Sequence, residues 1–250
     1  MYSMSILSFL ILGLISLAKI NGEVTKDYTG KCNDIYEYLE EHRKTENLLV
    51  CNVNDIGEVT ELTLYPYCLN NEQMKTILSR NTIETLSFTA EWDYTDNKGI
   101  IISKFGCTSL PTNYDVISTL TNLKELHLFG VENTGINIIR NIPKSVKILI
   151  IGGDADPSYY FKLTQKNVDA LSKLINLKSL TFRNTVIADN VDYSKFKNLK
   201  KLTYLNLDMP FTYGQGSLFK YCNYLKELVI NFSSYNEKLL DTLGYLTTLD

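Results

Sequence analysis

Seven times along this 250-residue chain an apolar residue is followed by another three positions on and by a third two positions later, and an eighth copy begins near the end. The copies are Val59/Leu62/Leu64, Ile83/Leu86/Phe88, Leu123/Leu126/Leu128, Val146/Leu149/Ile151, Leu177/Leu180/Phe182, Leu202/Leu205/Leu207 and Leu225/Leu228/Ile230, with Leu246/Leu249 unfinished. Neither a helix nor a simple strand has a three-then-two rhythm. Alternation within each copy predicts a short strand whose fourth and sixth residues enter a core while the third, fifth and seventh face outward. Between copies lie stretches such as "NNEQMKTIL", "NYDVISTL", "TQKNVDALSKL" and "NEKLLDTLGYL", whose apolar residues recur at helical spacing behind capping Asn or Thr. Each unit therefore reads as strand, turn, helix, turn. Strands stack ~4.8 Å apart and helices ~8–10 Å apart, so such a stack must curve with its strands on the concave side.

First residues of successive copies are 24, 40, 23, 31, 25, 23 and 21 positions apart, mostly within the ~20–29 residue period of leucine-rich repeats. With its LxxLxL copies, the segment from about 57 to 250 resembles that family. The resemblance implies an α/β leucine-rich-repeat solenoid with helices on the convex face. The family's Asn, three residues after the sixth position, is replaced by Val131, Thr185 and Pro210 in three units and by Asp154 in another. An asparagine ladder is therefore not expected, and longer, more helical units of the ribonuclease-inhibitor kind or an irregular mixture fit better.

Three further features shape the expected domain plan. Residues 6–18 ("ILSFLILGLISLA") are too short to span a bilayer but suit a signal peptide covering 1–22. Secretion permits disulfides, and the five cysteines, an odd count, all follow this segment. In 23–56, Cys32, Ile35 and Leu39 share one helical face, with Asn33 or Asp34 near its start, and Cys51 precedes the first repeat strand. The segment resembles the N-terminal caps of secreted plant-type and fungal leucine-rich-repeat proteins, in which a helix and a cysteine precede "GxVTxLxL", here "GEVTELTL". A Cys32–Cys51 bridge is the favoured pairing, against two buried thiols. Cys68 and Cys107 either bridge neighbouring coils or are separately buried, and Cys222 fills core. The last copy stops at Asp250 without a sixth-position residue, so about eight units are expected over 57–250, with an incomplete end.

No residue pattern points to catalysis. The two histidines, His42 and His127, neighbour no recognisable nucleophile motif, and GxSxG, HExxH and GxxxxGK[ST] are absent. Cysteines and histidines at zinc-ligand spacing are missing as well, so neither metal nor cofactor is expected. A net charge of −3 and lysines scattered along the sequence give no reason to propose nucleic acid.

Outward positions are the better candidates for function. Across the middle units they bring Phe129, Ile148, Ile150 and Tyr204 together, bordered by His127, Arg183, Asn206 and Asp208. An apolar centre inside a polar rim suits a protein partner, provided inward loops do not cover it. The first-unit residues Glu61, Thr63 and Tyr65 belong to the same columns. Two enlarged spacings hold "EWDYTDNKG" and "GGDADPSYYFKL", where Trp92, Tyr94, Tyr159, Tyr160 and Phe161 either pack or protrude. Protruding aromatics would stack on sugar rings, the alternative being polysaccharide binding, and a third reading is a structural wall component. Asn231 in "NFS" is the N-glycosylation sequon. The expectation is a secreted, non-catalytic protein-recognition domain, a receptor ectodomain, adaptor or inhibitor.

Overall fold

The computed structural model describes residues 28–89, 94–95, 101–102, 109–130, 135–152, 161–188, 190–208, 213–231 and 243–249. Residues 1–22, Trp92, Cys107, Val131, Asp154, Tyr159, Tyr160, Pro210 and most of "NEKLLDTLGYL" lie outside that set, and of Tyr94 and Asn231 only the backbone is described.

The repeat copies become the strands β2 (Val59–Leu64), β3 (Thr85–Phe88), β6 (Glu125–Phe129), β7 (Ile148–Gly152), β9 (Ser179–Arg183), β11 (Tyr204–Asp208) and β12 (Glu227–Asn231). Together with β1 (Leu48–Val53) they form an eight-stranded sheet in the order β1-β2-β3-β6-β7-β9-β11-β12. From β2 onward every pairing is parallel and each unit adds one strand beside its predecessor, which makes this an α/β repeat fold. Register is carried by one recurring device. The carbonyl of the second motif position accepts N–H groups from the second and third positions of the next unit, as Glu84 does from Lys124 and Glu125 and Lys147 does from Lys178 and Ser179.

Identical positions are therefore stacked. Leu62, Leu86, Leu126, Leu149, Leu180 and Leu205 form one inward column, and Leu64, Phe88, Leu128, Ile151, Phe182 and Leu207 another, all at most 1% exposed. Leu228 and Ile230 on β12 are only partly buried. Cys222 joins the core as expected, and burial pushes its thiol up to about 12.

Helical content is lighter than strand-turn-helix-turn suggests. Among the described residues the α-helices are α1 (Lys31–Glu41), α2 (Asn71–Leu78), α3 (Gly135–Arg140) and α4 (Gln165–Leu171), while "NYDVISTL" forms only a 3-10 turn at Asp115–Thr119. Other units use 3-10 segments at Ser194–Asn198 and Tyr213–Tyr221. The Asn cap signal in "NNEQMKTIL" was sound. Asn70 Oδ1 accepts the Gln73 N–H at 2.9 Å and Gln73 Oε1 accepts the Asn70 N–H at 2.9 Å, a reciprocal box at the start of α2.

At the β1 end the structure adds a strand that the repeat pattern does not announce. Cys51 precedes the first repeat strand, as expected, and lies inside an additional strand, β1, which pairs antiparallel with β2 and lacks the three-then-two pattern. Helix α1 starts after Gly30, with Asn33 and Asp34 in its first turn as expected, and Asn33 donates to Glu37. Gly30 has φ 56°, a left-handed value, and a Cβ there would lie 2.6 Å from the Gly57 carbonyl oxygen. That approach lets the Lys31 N–H reach the same carbonyl at 2.9 Å and ties the helix to the β1–β2 turn. The expected Cys32–Cys51 disulfide is present, with Cα atoms 5.7 Å apart, and Ile35 and Leu39 bury beside it.

The enlarged spacings carry small sheets of their own. Residues Tyr94–Thr95 (β4) pair antiparallel with Ile101–Ile102 (β5). Phe161–Leu163 (β8) pairs parallel with Thr185–Ile187 (β10). Phe161 is buried, so this aromatic packs rather than protrudes. Thr185, three residues after the sixth motif position, is fully buried and donates its hydroxyl to the Arg183 carbonyl at 3.0 Å. Among the described residues no helix is long and apolar enough to cross a membrane.

Candidate functional site: the outward face of the sheet

Parallel register converts the third, fifth and seventh positions into three lines across the sheet. One runs Glu125, Ile148, Ser179, Tyr204, Glu227, the next His127, Ile150, Thr181, Asn206, Val229, and the last Phe129, Gly152, Arg183, Asp208, Asn231. The residues singled out for its centre and rim, His127, Phe129, Ile148, Ile150, Arg183, Tyr204, Asn206 and Asp208, all fall on these lines. Phe129, Ile148 and Ile150 meet on the adjacent strands β6 and β7, and Tyr204 stands two strands from Ile148. The intervening strand β9 presents only Ser179 and Thr181 at those heights, so bulky residues flank a row of small ones. Ile148 is 36% exposed; Phe129, Ile150 and Tyr204 are half-buried.

Val229 is 40% exposed and belongs with this apolar set. It was visible as an outward position, but its neighbours Glu227 and Asn231 are polar, and only the pairing of β11 with β12 sets it beside Asn206. Two other residues gain a role through the pairing of strands. Ser87, 40 positions earlier, hydrogen-bonds His127 Nδ1 at 3.0 Å, while His127 Nε2 lies 2.8 Å from Glu125 Oε1. A serine, a histidine and a carboxylate in a row resemble a nucleophile relay, but Ser87 is 9% exposed and sits mid-strand between two parallel neighbours. Ladder hydrogen bonds commit the N–H groups around it, so none points at a developing oxyanion. The row holds the imidazole ring against Phe129, whose centroid lies 5.9 Å away.

Arg183 reaches across β7 to the other side of Phe129. Its guanidinium carbon is 5.5 Å from the ring centroid, a cation–π geometry worth ~0.5–1 kcal/mol at an exposed site. The residue between them in line is Gly152, and this explains why a strand tolerates glycine there. A Cβ on Gly152 would fall on the Arg183 carbonyl oxygen and within 2.7 Å of the Arg183 Cβ. Gly152→Ala is expected to destabilise the protein by about 1–3 kcal/mol through overpacking and to dislodge the arginine from the ring. Equilibrium urea unfolding checks this; an unchanged midpoint would mean that the close approach imposes no constraint.

Tyr204 is held by its neighbours as well. Burial, with the Glu227 carboxylate beside it, keeps its phenol above the ordinary range, while a hydrogen bond with Asn206 works in the opposite direction. The phenol therefore stays neutral and available as a donor.

The face does not extend evenly to the first unit. Tyr65, an outward position by pattern, is fully buried and packs on Tyr67 with Leu110 against the pair. Asn47 Nδ2 donates to the carbonyls of Tyr65 (2.7 Å) and Tyr67 (2.6 Å), and the Tyr67 hydroxyl donates to Gly130 at 3.1 Å. These bonds fold the chain after β2 back over the outward edge and cover Tyr65; Thr89 in the next unit is also buried.

Away from this face, the structure corrects one impression of the sequence. Lys144, Lys173, Lys195, Lys200 and Lys201, scattered over 58 positions, line one groove beside α4 and the turns that enter β7, β9 and β11. Among the described residues no group of three His, Cys, Asp or Glu side chains is placed to hold a metal ion.

No protein-family model matches this chain, and no curated protein matches it. Solved structures similar to it include an internalin C2 from Listeria monocytogenes, 17% identical over 78% of this chain and 84% of that one, with a TM-score of 0.37. An internalin (inlF) from the same organism is 15% identical over 92% and 84% of the two chains, at 0.25. A chain of the octameric complex of Latrophilin 3, Unc5D and FLRT2 (LRR) is 13% identical over 80% and 76%, at 0.30.

Proposed function

We propose that this chain is a secreted leucine-rich-repeat solenoid that recognises another protein through the outward, concave face of its sheet, as a receptor ectodomain, adaptor or inhibitor. In this reading residues 1–22 are a signal peptide, 23–56 an N-terminal cap closing the first coil, and 57–250 the repeat domain. Asn231, closing β12, is its glycosylation site and puts a glycan at one margin of the face.

One observation supports the reading above the rest. Phe129, Ile148, Ile150, Tyr204 and Val229 share the outward side of one rigid sheet, with Glu125, His127, Arg183 and Asp208 around them. Apolar side chains ringed by charges form the usual centre and rim of a protein interface. The aromatic anchors are held in place before binding, Phe129 by His127 and Arg183 and Tyr204 by Asn206. A partner that docks there spends little on ordering them.

Capture from the surrounding medium on immobilised protein, followed by calorimetry with the purified partner, tests this. Phe129→Ala combined with Tyr204→Ala is expected to weaken binding by at least tenfold, since each aromatic carries more than ~1 kcal/mol in a hot spot. Both residues are half-buried on the surface side, so the thermal midpoint should stay near the parent value. Unchanged affinity would remove this face from consideration.

A further inference from the structure

The charge of this chain is unevenly distributed. Residues 140–201 hold 12 Lys and Arg against five Asp and Glu, although the whole chain carries −3. Part of that excess gathers in the shallow groove of about 840 Å³ lined by Lys144, Lys173, Ile175, Lys195, Lys200 and Lys201. Three successive units contribute to it. Lys144 comes from the turn before β7, Lys173 and Ile175 from the end of α4, and the rest from the 3-10 segment and turn before β11.

Hydrogen bonds fix the groove's floor from unit to unit. Asn176 Nδ2 donates to the Lys144 carbonyl at 2.9 Å, and Lys201 Nζ donates to Asn176 Oδ1 at 2.6 Å. Asp169 is the single carboxylate in the lining and pairs with Lys195 at 2.8 Å. Hydrogen bonds from Lys195 and Gln165 hold it below the usual carboxylate range, so it neutralises one lysine and no more. Among the described residues Lys144, Lys173 and Lys200 have no carboxylate within ion-pair distance, and all three are exposed. Like charges held this close repel unless a counter-charge is supplied from outside.

We infer that this groove binds a sulfated polysaccharide, laid across three units. The lining chemistry selects among polyanions. It contains five lysines and no arginine, and lysine acts as a point charge where arginine would fork onto carboxylates and phosphates in a fixed geometry. No aromatic side chain lines it, so it offers no platform on which nucleic-acid bases could stack. Ile175 is the one exposed apolar side chain, too little to enter a membrane. An open groove to which each of three successive units contributes at least one lysine suits a polymer whose negative charges recur along its length. The groove shares no residue with the outward face of the sheet, so the two sites can be occupied together.

Calorimetric titration of the full chain with a heparin octasaccharide, at low and at near-physiological salt, tests the inference. Binding should weaken as salt rises, as counterion release requires. The variant Lys144→Gln/Lys173→Gln/Lys200→Gln should bind at least tenfold more weakly and with a shallower salt dependence. Arg43→Gln/Lys44→Gln/Lys75→Gln, with the same charge change elsewhere, should bind as the parent does, and so should the Phe129/Tyr204 variant. Desulfated heparin should not bind. Absence of heparin binding, or equal weakening by both charge-removal triplets, would overturn the site; binding of poly-glutamate or single-stranded RNA as tight as heparin would overturn its assignment to sulfated polysaccharide.

Discussion

Replacing Phe182 by alanine is expected to cost about 3–5 kcal/mol of folding free energy, the range for a fully buried phenylalanine. Phe182 is fully buried at the sixth position of its unit, between Ile151 and Leu207 in the inward column. Its ring sits where a smaller side chain cannot be compensated by a shift of one strand, because the backbones of β7 and β11 are locked in register on either side. The loss therefore combines lost transfer energy with a cavity. In a repeat stack each unit touches mainly its neighbours, so amide exchange should accelerate first in β7, β9 and β11 and least in α1 and β1. A stability loss under about 1 kcal/mol, or exchange that rises evenly along the chain, would show that the column is not a continuous core.

Removing the Cys32–Cys51 bridge with a Cys32→Ala/Cys51→Ala pair is expected to cost about 3 kcal/mol in the chain-entropy model, given a sequence separation of 19. The bridge joins the buried face of α1 to β1, the one antiparallel strand of the main sheet. Besides the disulfide, α1 is fastened by the Ile35 and Leu39 contacts, the Lys31 to Gly57 hydrogen bond and an exposed Lys31–Glu58 ion pair at 2.6 Å, which adds little in water. Loss of the bridge should therefore lower the protection of α1 more than that of β9. Urea midpoints of the two forms provide the measurement. Equal stability would mean that helix packing alone closes this end.

Of the fold, the inward columns were legible because the motif is made of the residues that build them. A three-then-two spacing permits only one alternation through the strand, so Leu126 and Leu128 had to turn inward and His127 outward. The helical character of the connections was less legible. "NYDVISTL" and "NNEQMKTIL" carry similar patterns, yet one closes as a 3-10 turn and the other as an α-helix with a reciprocal Asn70–Gln73 cap. The difference is not one of chain length, since the 3-10 turn lies in the 40-residue spacing and the α-helix in the 24-residue one; of the two, only the α-helix has a side-chain cap at its start. Strand β1 was not legible at all, since an edge strand paired antiparallel needs no repeat motif and is defined by its hydrogen bonds to β2.

Of the candidate site, composition and outward position were readable residue by residue, but contacts were not. Tyr65 and Phe129 hold the same place in their motifs; Tyr65 is buried under the turn held by Asn47, and Phe129 remains on the surface beside Arg183. Gly152, at the seventh position of its motif, is the gap through which that arginine reaches.

By itself the sequence determined the repeat, the parallel order of its strands and the inward columns, because periodic burial of apolar side chains is a local rule applied again in every unit. Only the tertiary structure decided which outward residues meet: Ser87 with His127 and Glu125, Arg183 with Phe129, and five lysines in one groove. Each of those meetings joins residues from different coils or opposite sides of one, and its geometry depends on strand register, side-chain reach and the path of turns, none of which a periodic pattern encodes.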